Sequence, residues 1–99
     1  MFANLRRYRL APESVDEMRR RVEEDFIPRV SEVSGFRAHY IVDVGGGEVL
    51  AISVFEEESG ATRSQEMAVA WVRENLSELA PSAPEITAGE VLVHVQKLG

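Results

Sequence analysis

His39 and His94 are the two side chains in this sequence whose ordinary pKa lies near neutrality, so they are the candidates for accepting a proton. Asn4, Arg6 and Tyr8 alternate along one β-compatible run, so in a strand they project to the same side and can meet in one cavity. That set could hold and polarise an anionic or phenolic ligand. The chain has no cysteine, which excludes disulfides, thiolate nucleophiles and cysteine-ligated zinc or iron–sulfur centres. Two histidines on different strands would need a carboxylate such as Asp43 or Glu90 as a third metal ligand, so no metal is expected. Gly45, Gly46 and Gly47 could cradle a phosphate if a helix opened directly after them. A strand pattern follows instead, and the triplet reads as a turn.

The 17 acidic and 11 basic residues leave a net charge of −6, which argues against binding nucleic acid through its phosphates. Arg6, Arg7 and Arg9 form the main basic cluster and read as a charged strand balanced by acidic neighbours. At 99 residues with 44% hydrophobic composition, a single domain over 1–99 is expected. The first residues run directly into Arg6 and Arg7 with neither a signal-peptide core nor a spanning run. No membrane partner is expected, and a reducing cytoplasm suits a cysteine-free chain.

These residues need elements to position them. Residues 2–10 read as a first strand stopped by Ala11 and Pro12. Ser14 and Glu17 have the spacing of a capping box, so a helix should start near Val15 and bury Val15, Met18, Val22 and Phe26. Pro28 predicts a kink near Asp25, after which Val30 and Val33 continue the stripe to a stop at Ser34 and Gly35. Strands are expected over 36–43 and 49–55, joined as a hairpin. A second helix over about 61–79 should bury Ala68, Val72, Leu76 and Leu79, with Trp71 at the edge of the stripe. A loop over 81–89 and a last strand over 91–97 complete the pattern. This order is the ferredoxin-like βαββαβ arrangement of an α+β domain with an antiparallel sheet.

In that arrangement both helices cover one sheet face, and the other should be polar if it meets water. The third strand is apolar on both sides, with Leu50, Ile52 and Val54 on one and Val49, Ala51 and Phe55 on the other. Val91, Val93 and Val95 form another row, with Leu92 and His94 opposite. A second copy of the chain is the expected cover, giving a homodimer. A cavity between two such sheets would be lined by the less apolar faces, including Tyr8, Leu92 and His94.

The chain resembles the antibiotic-biosynthesis-monooxygenase-like family of dimeric α+β barrels. The resemblance lies in Tyr8 to Pro12 closing the first strand, the step Ser34-Gly35-Phe36, and the strand from Ala38 to Asp43. The Val54-Phe55-Glu56 exit and a tryptophan on the second helix complete it. It implies a homodimer and, among active members, cofactor-free oxidation of a small aromatic or quinol-type ligand. It further implies Asn4 and Trp71 as counterparts of the family's catalytic asparagine and tryptophan, with His39 or His94 as the base. Arg6, Tyr8, Phe55 and Leu92 then become candidate substrate-binding residues. The haem-degrading branch carries a histidine shortly after its helix tryptophan, and from Val72 to Val93 this sequence has none. No cofactor is therefore expected. The alternative is a non-catalytic metabolite-binding or interaction domain.

Overall fold

The computed structural model describes residues 1–98. Its elements are β1 (Phe2–Arg9), a short 3-10 turn (Pro12–Ser14), α1 (Val15–Arg21), a π-turn (Val22–Phe26) and α2 (Ile27–Val30). β2 (Phe36–Gly45), β3 (Glu48–Phe55), α3 (Glu58–Asn75) and β4 (Glu85–Glu90) follow. The strands form one antiparallel sheet in the order β2-β3-β1-β4, which is the ferredoxin-like topology.

Strand alternation decides what each face carries. On β1 and β3, Asn4, Arg6, Tyr8, Val49, Ala51, Ser53 and Phe55 are buried. The intervening Leu5, Leu50, Ile52 and Val54 are only half-buried on the outer face. On β2, Tyr40 and Val42 are exposed at 57% and 40%, and both flank the same outer row through their pairing with Ile52 and Leu50. The core lies on the helix side, where Met18, Val22, Phe26, Val30 and Val33 meet Ala68, Trp71 and Leu76.

Pro28 has no N–H to donate and would crowd the carbonyl of Glu24 in a regular α-helix. The π-turn removes that conflict, because Ile27 N–H reaches back to the Val22 carbonyl and the helix takes up one extra residue. The expected kink near Asp25 takes this form. The capping box does not form: Ser14 belongs to the 3-10 turn and makes no side-chain cap, while Glu17 is drawn to Arg20 at 2.6 Å and Arg21 at 3.2 Å.

The hairpin turn uses positive φ at Gly45, Gly46 and Gly47 (97°, 66° and 86°). Gly47 has a second constraint, since its carbonyl accepts from Leu10 N–H at 2.8 Å and a Cβ there would sit 1.9 Å from the Leu10 oxygen.

Three expectations are corrected. α3 begins earlier than 61, and Trp71 is fully on its buried face, because Ala61, Ser64, Ala68 and Trp71 recur at spacings of three and four. The fourth strand is Glu85–Glu90, within the segment read as a loop, and pairs along β1 from Arg7 back to Phe2. It is an edge strand exposed along its length, held by backbone pairing without an apolar row to reveal it. Residues 91–98 form no strand within the chain. There Leu92, Val93, Val95 and Leu98 are 85%, 81%, 90% and 84% exposed.

Candidate functional site: a cation under the helices

β1 carries a guanidinium into the protein interior. Arg6 is 1% exposed, and its Nη1 donates to Asn4 Oδ1 while Nη2 donates to Ser53 Oγ at 3.4 Å. Asn4 is fixed in turn by α3, because its amide nitrogen donates to the Ala61 carbonyl at 3.0 Å and to Ser64 Oγ at 3.1 Å. The amide of Asn4 is therefore occupied on both ends and holds Arg6 in place. On the other flank Ser53 Oγ lies 2.8 Å from His39 Nδ1 on β2. A polar chain thus crosses from α3 through β1 and β3 to β2.

Three buried polar atoms in this cluster lack a partner: Arg6 Nε, the Tyr8 hydroxyl and His39 Nε2. Burial pulls the Arg6 pKa below its ordinary value and pushes that of Tyr8 up, with each group partly offsetting the other's shift. Burial, with the Arg6 charge beside it, lowers His39 to about 4, so the imidazole is neutral at physiological pH.

Arg6, Tyr8 and His39 line a chamber of about 30 Å³ between sheet and helices, whose other walls include Met18, Phe26 and Trp71. None of its lining residues is a carboxylate. Trp71 supplies an aromatic wall: its ring lies 5.4 Å from that of Phe26, which in turn lies 5.7 Å from His39. Its indole N–H is taken by Asp25 Oδ2 at 2.6 Å and is not offered to the chamber. A second cavity of about 820 Å³ opens between α1 and β2, and Met18, Val22, His39, Ile41 and Val49 line both spaces. Those shared residues form the wall between the open groove and the chamber.

The chamber is enclosed by the chain's own helices and does not lie between two sheets. Asn4, Arg6, Tyr8, His39 and Trp71 come together around it. His94 and Leu92 do not, since both are exposed in the segment after β4 and neither lines the chamber. Phe55 is wholly buried but stacks edge-on against Phe36, away from the chamber lining. The fourth-strand correction explains the first two misplacements: with pairing ended at Glu90, residues 92 and 94 lie past the sheet.

Sequence reasoning missed Ser53, Ser64 and Asp25. The first two were detectable as small polar residues at buried positions of a strand and a helix, where a hydroxyl requires a partner. Asp25 meets Trp71 across 46 positions of sequence, and no local pattern signals that contact. Among the described residues no group of three or more His, Asp or Glu side chains converges as a metal site, and no helix is long and apolar enough to cross a membrane.

No family model matches the chain, and no curated protein matches it by sequence. Solved structures do match. A protein of unknown function from Nitrosomonas europaea superposes with a TM-score of 0.76 at 21% identity, covering 99% of this chain and 95% of that one. The monooxygenase from the gene ActVA-Orf6 of Streptomyces coelicolor, solved with the ligand nanaomycin D, gives 0.75 at 16% identity over 98% and 92%. The fold is that of the antibiotic-biosynthesis-monooxygenase-like proteins. A further antibiotic biosynthesis monooxygenase shares it at a TM-score of 0.69 and 9% identity, covering 94% of this chain and 100% of that one. At such identities the monooxygenase-like fold is common to proteins with different or unassigned activities.

Proposed function

We propose that this chain is a homodimeric, cytoplasmic, small-molecule-binding domain that oxidises an anthrone- or quinol-type substrate with dioxygen and without a cofactor. The observation that carries the reading is a chamber lined by a neutral histidine, a buried guanidinium and an unpartnered tyrosine hydroxyl, with an open groove on the other side of the residues that line both. That the Streptomyces coelicolor monooxygenase of this fold was solved with the ligand nanaomycin D supports a small-molecule site.

For an anthrone the steps balance as follows. His39 Nε2 accepts a proton from the acidic methylene, with Arg6 favouring the anion so formed. The anion passes one electron to dioxygen, the carbon radical and superoxide join as a peroxide anion, the proton held by His39 returns to give the hydroperoxide, and loss of water leaves a carbonyl. One oxygen atom ends in the product and the other in water. The protein's part is to hold the anion in the groove beside Met18, Val22 and Ile41, with its reacting carbon toward His39, which borders both spaces.

The dimer reading rests on the outer sheet face, where Leu50, Ile52 and Val54 are flanked by exposed Tyr40 and Val42, and on the apolar residues 92, 93, 95 and 98 beyond β4. A second copy covering that face would bury apolar area worth about 25 cal/mol per Å².

Oxygen consumption with an anthrone in metal-free, flavin-free buffer tests the activity, and His39→Ala is expected to lower the rate by about 10²-fold or more. An unchanged rate would remove His39 from the mechanism, and no uptake across a panel of anthrones and quinols would end the oxygenase reading. The small chamber, at about 30 Å³, favours the second reading, a binding domain without catalysis.

A further inference from the structure

The charge inventory of the chamber is unbalanced. Most surface arginines find acids: Arg7 and Arg9 share Glu48 at 3.4 and 3.3 Å, and at the groove rim Arg19 pairs with Glu23 at 3.5 Å. Arg6 is the buried one, and among the described residues it makes no ion pair; its partners are the neutral Asn4 and Ser53. A guanidinium stays charged in almost any protein setting, and a buried charge without a counter-charge is costly. Arg6 Nε, the Tyr8 hydroxyl and His39 Nε2 are also unpartnered around the same space.

We propose that this chamber is an anion site, and that the ligand is an organic monoanion with a single oxyanion head, carboxylate or phenolate, and an apolar body. The head pairs with Arg6 and accepts from Tyr8, while the body passes between the shared side chains Met18, Val22 and Ile41, which must part to admit it, into the groove. The proposal deepens the small-molecule reading and rests on it.

Size supports this division. A chamber of about 30 Å³ holds roughly two water-sized spheres, which matches the two oxygens of a carboxylate and not an aromatic ring. The groove, at about 820 Å³, has room for one or two fused rings, and Val15, Val22, Ile27, Phe36 and Ile41 give it apolar walls. The neutral state of His39 at physiological pH leaves Arg6 as the single full charge among the chamber's lining side chains. Sequence alternation produced this: of the three clustered arginines on β1, only Arg6 has the parity that faces the helices.

A matched pair of probes tests it. 2-Naphthoate and 2-naphthamide have nearly the same shape and differ in charge, and binding of each is measured by calorimetry at pH 7.5. The acid is expected to bind at least about tenfold more tightly, the scale of a charge-assisted hydrogen bond. Arg6→Met should abolish that preference, and Arg6→Lys should restore part of it. Arg6→Met removes a buried charge but leaves Asn4 Oδ1 without a donor, so its folding is checked by circular dichroism and its melting temperature before binding is read. Equal binding of acid and amide would overturn the anion proposal while leaving the small-molecule reading intact. A preference for the acid that survives in Arg6→Met would overturn Arg6 as the anchor. Absence of binding by both probes would overturn the proposal together with the ligand reading, and a lower melting temperature in Arg6→Met would then assign Arg6 a structural role.

Discussion

Replacing Phe55 by alanine is expected to cost about 3–5 kcal/mol of stability, a large fraction of what a domain of this size possesses. Phe55 has no exposed surface, stacks on Phe36 at 5.7 Å, and lies so close to α3 that a Cβ on Gly60 would be 3.0 Å from its ring. The helix cannot settle into the space left by the ring without moving the Ala61 carbonyl that holds Asn4. Urea denaturation of Phe55→Ala measures this. Ile52→Asp, three positions away on the opposite face of β3, is expected to behave differently: it leaves the helix-side core intact and converts the proposed dimer to monomer at micromolar concentration. Sedimentation reads that outcome, and an Ile52→Asp protein that remains dimeric would show that the outer face is not the interface.

Acid should weaken the fold well before its carboxylates titrate. His39 has a pKa of about 4 in the folded protein against an ordinary value of 6.5, so between those values the unfolded chain binds the additional proton. Stability is then complete above about pH 6.5, declines as pH falls toward 4, and levels off below. A difference of that size corresponds to about 3 kcal/mol at most. The groups around the imidazole are Arg6, Ser53 and Phe26, and none is an acid that could compensate its charge. Glu17, Asp25 and Glu78 are held below the usual carboxylate range by hydrogen bonds from Arg20, Trp71 and Arg21, so their loss belongs to lower pH. Denaturation midpoints between pH 4.5 and 7 should therefore slope downward toward acid for the wild type and be flat for His39→Gln. A slope of equal size in both proteins would exclude His39 as its source.

The parts of the fold that depend on side-chain periodicity were legible in the sequence. Met18, Val22 and Phe26 repeat at a helical interval, and β3 alternates cleanly between buried and half-buried positions. β4 was not legible, because an edge strand held by backbone hydrogen bonds needs no apolar rhythm, and Glu85–Glu90 has none. In the site, parity correctly grouped Asn4, Arg6 and Tyr8, but parity does not say which face the helices take. That choice depends on pairing and on the total apolar area of each face, and here the row with Phe55, Val49 and Ala51 took the helices. The inward polar row came with it. Centring the second helix on its larger aliphatic residues puts Trp71 at the stripe edge, whereas the buried face is made by Gly60, Ala61, Ser64, Ala68 and Trp71 itself.

The π-turn ahead of Pro28 has a consequence for which lengths of this chain can fold. A residue inserted into an α-helix ordinarily rotates everything beyond it by about 100°, which would carry Val30 and Val33 out of the core. At 22–26 the added residue is swallowed by the wide turn, and both halves of the stripe stay buried. Removing Glu24, which is exposed, would then close the turn to an ordinary helix without changing which residues face inward. The proline ring would meet a carbonyl again, so such a shortened chain requires Pro28→Ala with it. The helix length and the proline are therefore coupled: the deletion alone is harmful, and with Pro28→Ala it yields a second allowed length for the same fold.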